Sequence, residues 1–350
     1  EHWKVGQLDQ SAAKAREALS LDPEFHDARL LLGKVCIEQG EYRQAIGELE
    51  PLREESPESP EVWYLIGVAQ ERDAQLAEAL VSYRKAYALD TESIESVKAA
   101  AEVLVHLGRV REAQHYVESY MARSPNDPGM YELAGRLAVM RKDWPQAIEM
   151  LIQASDLDTG NARYREMLGR AQFQGRRYED AARTLSHLGE TKGYTMPAWV
   201  QRMLGDCYML SDRPLRARTA YRKATEIDPD DAEAWCSLGK AALALKDPAR
   251  AVLSARQALE LDPGHLDATI VLTAALIESD QAGHAIRLVR RTMRVHPNNA
   301  LLLCVLGRAH AADGDEPQAR RCYQQALRLD PDNRLARALL RAAPDAPSDG

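Results

Sequence analysis

A short motif, Leu-Asp-Pro or a close variant of it, recurs along this chain every 34 residues. Its third residue is Pro23, Pro57, Thr91, Pro125 and Thr159 and then, after an offset of two residues between Leu188 and Trp199, Pro229, Pro263, Pro297 and Pro331. A fixed period of this length indicates small structural units stacked in a row, each of which contacts only its neighbours. The chain is therefore predicted to form one long array rather than the roughly two or three globular domains that its length alone would suggest.

Two small residues recur inside each unit when the third residue of the motif is numbered as position 32. Position 20 is Ala in all nine complete units, and position 8 is Gly in seven of them, the exceptions being Ala101 and Thr273. Because Gly inside a helix costs about 1 kcal/mol relative to Ala, its recurrence indicates that two helices approach closely. We predict that Gly at position 8 of a first helix, A, lets a second helix, B, pack tightly through its Ala at position 20.

The proline at position 32 predicts where helix B ends, since it lacks an N–H and disfavours helix in the residue before it. Acidic residues follow it, as in residues 229–233, and suit the N-terminus of the next helix A. In its period and signature residues this unit resembles the tetratricopeptide repeat, and the resemblance covers essentially the whole chain. It implies an all-α fold, a right-handed superhelical solenoid of antiparallel helix pairs in which helix A lines the concave side.

The resemblance divides the chain into five segments. Residues 1–25 form a partial unit without its helix A, residues 26–188 hold units 2–6, and residues 198–333 hold units 7–10. Between these arrays, residues 189–197 contain two Gly and one Pro and predict a longer turn, with a hinge as the alternative interpretation. Residues 334–350 predict a short capping helix and a flexible tail. The missing half-unit at the start leads us to expect a native protein that extends upstream.

Charge and hydropathy argue against two classes of partner. The net charge is −8. Residues 1–127 hold 14 Lys and Arg against 24 Asp and Glu, whereas the remainder holds 31 against 29. This acidic balance argues against nucleic acid as a partner, although Arg287, Arg290, Arg291 and Arg294 share one face of a helix. No apolar stretch approaches the roughly 20 residues that a transmembrane helix needs.

The five cysteines lie far apart in helical patterns, without the spacing of a disulfide framework or a metal site. Buried, reduced thiols are expected, which favours the cytoplasm over the periplasm and leaves both open. The Ala- and Arg-rich composition favours a bacterial origin. We found no phosphate-binding glycine loop, no paired metal-ligating histidines and no nucleophile elbow. The sequence therefore predicts no enzyme activity, no catalytic residue, no metal and no cofactor.

The resemblance implies that positions 2, 5, 9 and 12 of helix A face the concave groove and contact ligands. In units 5–7 these positions place arginines beside aromatic and methionine side chains, a composition typical of protein-binding surfaces. The predicted partner-binding residues are Glu132, Arg136, Arg163, Glu166, Arg170, Phe173, Trp199, Arg202, Asp206 and Met209. The alternative interpretation is a solvated face with ion pairs between Glu132 and Arg136 and between Glu166 and Arg170, four residues apart.

Three hypotheses for function follow. The first is an interaction scaffold that binds a peptide or protein segment in the concave groove. The second is a docking or regulatory region of a larger multidomain protein, such as an enzyme, a kinase or a secretion or export component. The third is self-association through apolar ends of the solenoid. The identity of the partner and its pathway are left open by the sequence.

Overall fold

A computed structural model describes residues 5–191 and 193–343, and every regular element in these ranges is an α-helix. The predicted tail beyond residue 343 and residues 1–4 lie outside the described ranges. The helices are α1 Val5–Leu21, α2 His26–Gln39, α3 Tyr42–Glu55, α4 Pro60–Arg72, α5 Leu76–Leu89, α6 Ile94–His106, α7 Val110–Met121, α8 Pro128–Met140, α9 Trp144–Leu157, α10 Ala162–Gln174, α11 Tyr178–Leu188, α12 Ala198–Leu210, α13 Pro214–Ile227, α14 Ala232–Ala244, α15 Pro248–Leu261, α16 Leu266–Glu278, α17 Ala282–Val295, α18 Ala300–Ala312, α19 Glu316–Leu329 and α20 Arg334–Ala342. From α2 to α19, even-numbered helices are the A helices of the units and odd-numbered helices are the B helices.

Helix ends fall where the local sequence predicts them. Each helix A begins at position 1, often after a polar residue whose side chain accepts hydrogen bonds from the first turn. The Asp127 carboxylate accepts bonds from the backbone N–H groups of Gly129 and Met130, which would otherwise lack partners. Helix B ends before position 32, as where α13 ends at Ile227 ahead of Pro229. Helix B ends at the same position where Thr replaces the proline, as α5 does at Leu89 ahead of Thr91, so the role of the proline as a helix terminator stays a prediction.

The recurrent glycine of helix A lies beneath a large side chain of helix B. A Cβ atom built on Gly67 would lie 2.6 Å from Cδ1 of Tyr83, and one built on Gly135 would lie 2.7 Å from Cγ of Leu151. The predicted close approach is confirmed, and the alanines at position 20 are fully buried. The predicted partner of the glycine, however, is wrong: the side chain that requires it stands at position 24.

Position 24 varies with position 8 along the chain. In the two units whose position 8 carries a side chain, Ala101 and Thr273, position 24 is the smaller residue Val117 or Val289. Beside Gly239, position 24 is Ala255, and the nearest atom to a Cβ built there is Cγ1 of Val271 at 3.0 Å. The volume of these two facing positions is therefore shared, as close packing of a helix seam requires.

The turn from helix A to helix B has one backbone conformation in all nine units. Position 15 has a positive φ whether it is Gly, as at Gly40 (81°), or another residue, as at Ala74 (63°) and Lys142 (59°). The same holds at Gly108, Arg176, Asp212, Lys246, Asp280 and Gly314. Six units thus hold a residue with a side chain in the left-handed region, which is unfavourable for any residue with a Cβ.

The helices group into two compact units, Glu1–Ala171 and Gln172–Gly350. Within each of them, helix B packs against its own helix A and the helix A of the next pair. The A helices of successive pairs also contact one another, as α2 does α4 and α14 does α16. The A helices therefore form one face of each compact unit, which we call the A face, and the B helices form the opposite face, which we call the B face.

All five cysteines are free and buried, as the sequence predicts. Burial raises the pKa of the Cys207 and Cys236 thiols to about 12, so both are protonated at neutral pH. Protonated, inaccessible thiols are poor nucleophiles, and these side chains act as small apolar groups in the core. The irregular segment 189–197 joins α11 to α12 inside the second compact unit, and all of it except Lys192 is described.

Candidate protein-binding faces

The ten predicted binding residues stand on α8, α10 and α12 at positions 2, 5, 9 and 12. At 100° per residue these positions fall within about 80° of one another around a helix, so they share one side of it. The residues from Glu132 to Arg170 belong to the first compact unit, and those from Phe173 to Met209 belong to the second. Each group lies on the A face of its own compact unit.

In the first compact unit, two arginines converge on one buried carboxylate. The Glu132 side chain is only 4% exposed, and its Oε1 lies 3.2 Å from Nη2 of Arg163. Nη1 of Arg136 lies 3.8 Å from the same oxygen and 3.2 Å from Oε1 of Glu102 on α6. The pair four residues apart, Glu132 and Arg136, is therefore present but longer than the pairs between helices. The two acids and two bases form a charge-balanced row across α6, α8 and α10.

Both arginines keep contact with solvent while these carboxylates hold them. The Arg163 side chain is 67% exposed and that of Arg136 is 41% exposed. Because two arginines hold the buried Glu132, a bound segment could take over one of them at small cost while the other stays paired. Glu166 and Arg170 lie further along α10, half-buried and exposed respectively, and each interacts with neighbouring groups.

In the second compact unit, the predicted residues are more engaged with their own neighbours. Phe173 packs edge-on against Tyr178, with ring centroids 5.6 Å apart. Met209 is half-buried against the apolar cluster around Tyr221. Trp199, at the start of α12, is half-buried and interacts with neighbouring groups. These apolar side chains offer only part of their surface to a partner.

The two charged residues of α12 have defined partners. Nε of Arg202 lies 3.2 Å from Oδ2 of Asp231, the residue that caps α14. Oδ1 of Asp206 accepts a hydrogen bond of 2.7 Å from the Tyr221 hydroxyl. Burial raises the pKa of the Asp206 carboxyl above its ordinary value, while the Tyr221 hydrogen bond and the Arg202 charge act in the opposite direction. Desolvation dominates at this carboxylate.

Sequence reasoning missed two ion pairs that bridge successive units on the A face. Nζ of Lys34 lies 2.6 Å from Oε1 of Glu61, and Nζ of Lys240 lies 2.6 Å from Oδ2 of Asp267. In both cases a lysine at position 9 meets an acid at position 2 of the next unit, 27 residues further along. Opposite charges at this spacing are the signal that could have identified the pairs. They continue the pattern of charges that pair between A helices.

The described residues hold no group of three or more His, Cys, Asp or Glu side chains arranged to hold a metal ion. Among these residues there is also no helix with the length and apolar content needed to span a bilayer.

Comparison with protein-family models assigns nearly the whole chain to one kind of repeat. Two tetratricopeptide repeat (TPR) models match residues 2–68 and 72–137 and residues 133–186. Residues 195–337 match the model described as the cytochrome c-type biogenesis protein H TPR domain. The matched ranges cover the helix pairs on both sides of segment 189–197.

Two curated relatives are distant in sequence, and the chain spans only a small part of the length of each. It is 25% identical over 240 residues to cellulose synthase operon protein C of Xanthomonas axonopodis pv. citri (strain 306), covering 67% of this chain and 15% of that protein. It is 30% identical over 150 residues to superkiller complex protein 3 of Mus musculus, covering 41% of this chain and 9% of that one.

A solved structure shows the same fold. The C-terminal part of a TPR repeat-containing protein from Cytophaga hutchinsonii has a TM-score of 0.52 and 18% identity, covering 79% of this chain and 99% of that one. Consecutive antiparallel helix pairs, the signature residues at positions 8, 20 and 32, and the three matching models agree in their assignment. The chain belongs to the tetratricopeptide repeat family.

Proposed function

We propose that this chain is a non-catalytic interaction scaffold that binds peptide or protein segments on its A faces. Membership of the TPR family supports a protein or peptide partner, since proteins of this fold commonly serve as interaction scaffolds. The matching family models describe repeats and not an enzyme domain.

The observation that carries the proposal is the row of ion pairs on the A face. Arg163 is two-thirds exposed yet is held by the buried Glu132, and Arg136 is held by two carboxylates. Side chains that are positioned before binding lose less conformational entropy when a partner arrives. Arg is also enriched among the residues that contribute most to binding. Since the arginines are balanced by acids, we infer a partner segment of mixed charge.

A docking or regulatory region of a larger protein is a second proposal. It is favoured by the length of the two curated relatives, of which the matched stretches are only 15% and 9%. Such a region would use the same A faces, so the residues under test are the same for both proposals.

The test is capture of partners from native lysate of the source organism by the immobilised full chain. The variant Arg163→Gln/Arg202→Gln removes one cation from the A face of each compact unit and retains a side chain that can hydrogen-bond. The matched control is Arg321→Gln/Arg328→Gln, which makes the same charge change at two exposed arginines of the B helix α19.

A protein retained by the wild type and by the control, and lost with the A-face variant, supports the proposal. Thermal unfolding of all three chains should be compared first, so that a loss of binding is not a loss of folding. Equal retention by all three chains would contradict binding through these arginines.

A further inference from the structure

The B face of the second compact unit carries an excess of basic residues. The five B helices α11, α13, α15, α17 and α19 hold 14 Arg and Lys against 5 Asp and Glu. The A helices α12, α14, α16 and α18 hold 3 against 4, and the B helices α3, α5, α7 and α9 of the first compact unit hold 5 against 9. Positive charge is therefore concentrated on one face of one compact unit, while the chain as a whole is acidic.

Two neighbouring clefts open on this B face. Cleft 1 has a volume of about 700 Å³ and lies between α11, α12 and α13, with Gly189, Tyr194 and Met196 of the irregular segment as one wall. Cleft 2 has a volume of about 590 Å³ and lies between α13, α14 and α15. Thr219 of α13 lines both, so the clefts adjoin along that helix. Their floors are formed by positions 4, 7 and 11 of helix A, on the opposite side of the helix from the A-face positions.

Cleft 1 combines an apolar floor with a basic rim. Leu204 and Tyr208 line it from α12, and Arg216 and Lys223 line it from α13. At its edge Leu215 is 61% exposed and adds apolar surface to the cleft. The two residues inserted relative to the 34-residue period fall in the wall segment, where Met196 lines the same cleft.

Gln201 places a polar side chain in the otherwise apolar floor of cleft 1. The residue is only 8% exposed and lines the cleft, and its side-chain amide has no hydrogen bond to any described residue. Its amide atoms reach the solvent in the cleft, where a bound segment can pair with them. The amide offers both a donor and an acceptor, which is the pair of groups that a peptide backbone requires.

Cleft 2 repeats this combination of apolar floor and basic rim. Trp235 and Leu238 line it from α14, and Arg218 and Arg222 line it from α13. The Trp235 ring N–H donates to the Pro229 carbonyl at 2.8 Å, which fixes the ring in place. Leu253 lines the cleft from α15 and is 69% exposed.

Most of the basic groups at the clefts have no acidic partner. Among the described residues, no carboxylate lies within ion-pair distance of Arg216, Arg218 or Lys223. The Arg216 guanidinium lies over the Tyr208 ring, 5.9 Å from its centroid. Arg222 pairs with Glu226 at 3.5 Å, with both side chains exposed. This differs from the A face, where Arg136, Arg163 and Arg202 are each paired.

We propose that clefts 1 and 2 together form a docking site for an acidic segment of a partner protein that carries apolar side chains. The apolar side chains enter the two clefts, the carboxylates meet Arg216, Arg218 and Lys223, and Gln201 bonds the backbone of the segment. Charge complementarity selects an acidic partner. The apolar floors and the unpaired amide select a peptide over a phosphate backbone or a lipid surface, neither of which would fill them.

The test is selection of short random linear peptides, displayed on phage, against the immobilised full chain. Selection runs in parallel against Arg218→Glu/Lys223→Glu, against Gln201→Ala, and against the matched control Arg321→Glu/Arg328→Glu on α19. Lys223, Arg321 and Arg328 are exposed and Arg218 is half-buried, so the two double variants make the same change of charge at side chains that reach solvent. Equal melting temperatures confirm folding, and the A-face variant Arg163→Gln/Arg202→Gln shows whether a peptide uses the other face.

We expect enrichment of acidic peptides with spaced apolar residues on the wild type, on the A-face variant and on the α19 control. Their affinity should fall about tenfold or more with Arg218→Glu/Lys223→Glu and measurably with Gln201→Ala. No enrichment of acidic peptides, or equal affinity for all variants, would overturn the proposal. The proposal would also be overturned if acidic peptides do not bind and Arg218 and Lys223 instead mediate a dimer or the binding of duplex DNA or anionic vesicles.

Discussion

Arg163 holds the carboxylate of Glu132 from the next helix A along the chain, with Nη2 and Oε1 3.2 Å apart. The two residues belong to successive helix pairs along the chain and are adjacent on the A face. Glu132 is almost fully buried, so its charge needs a counter-charge, and Arg136 is the only other cation within ion-pair distance of it among the described residues.

This arrangement predicts that Arg136 and Arg163 substitute for one another in stabilising Glu132. Arg136→Gln or Arg163→Gln alone should cost less than about 1 kcal/mol of unfolding free energy, because one cation remains. The double variant should cost roughly 3 kcal/mol, since it leaves a buried carboxylate uncompensated. Urea unfolding of the two single variants and the double variant measures this coupling, and adding Glu132→Gln to the double variant should restore most of the loss. Additive single effects would contradict the account.

The packing of positions 8 and 24 predicts opposite tolerance of the same substitution in two units. Gly67→Ala places a methyl group against the ring of Tyr83 and should cost roughly 1–3 kcal/mol. Gly239→Ala faces Ala255 and has more room, so it should cost much less or even stabilise, because Ala favours helix by about 1 kcal/mol. Thermal unfolding of the two variants compares them directly. Equal losses would mean that position 24 does not determine the need for glycine.

The left-handed turn at position 15 predicts a stabilising substitution to glycine. Lys142 is exposed with a φ of 59°, and its replacement by Gly should raise the unfolding free energy by about 1 kcal/mol. The matched control is Lys85→Gly, at an exposed position within α5, where loss of helix propensity should cost about 1 kcal/mol. Urea denaturation shows whether each substitution raises or lowers the free energy of unfolding. A loss of stability with Lys142→Gly would contradict the assigned turn.

The raised pKa of Asp206 predicts a pH-dependent effect of removing its charge. The folded chain holds this proton to a higher pH than the unfolded chain does, so the free energy of unfolding falls as the pH rises through the interval between the two pKa values. Asp206→Asn cannot ionise and still accepts the Tyr221 hydrogen bond. It should therefore stabilise the chain at neutral pH, with an advantage that shrinks in acid.

Urea unfolding at pH about 7 and about 4 gives the difference in unfolding free energy between wild type and Asp206→Asn at each pH. The control Asp206→Ala also removes the charge but leaves the Tyr221 hydroxyl without its acceptor, and should not stabilise as much. An advantage of Asn that grows as the pH falls would contradict the assigned direction.

The fold was largely predictable because its determinants are local and repeat. Gly and Ala at positions 8 and 20 and the proline at position 32 recur at a constant phase, so each unit confirms the assignment of the others. Even so, the residue that requires the glycine was misassigned. The long side chain of Tyr83 or Leu151 reaches over the glycine, and the periodicity of the sequence does not reveal the direction in which a side chain points.

The candidate site was less predictable, because contacts between units depend on geometry that the sequence pattern does not contain. Helix spacing predicts the pair between Glu132 and Arg136, whereas the closer contact of Glu132 with Arg163 joins the A helices of two successive pairs. The left-handed turn at Lys142 was also missed, because glycine marks that position in only three units. Whether the ten predicted residues bind a partner stays a proposal.

Site-directed photo-crosslinking tests binding on the A faces most directly. Benzoylphenylalanine replaces Arg170 or Trp199 on the A faces, so that Arg163 and Arg202 stay in place, and Arg321 or Arg328 on α19 as controls, in the full chain irradiated in native lysate. Binding on the A faces predicts a discrete crosslinked partner protein from the A-face positions and none from the α19 positions. Crosslinks from α19 alone, or none from any of the four positions, would contradict it.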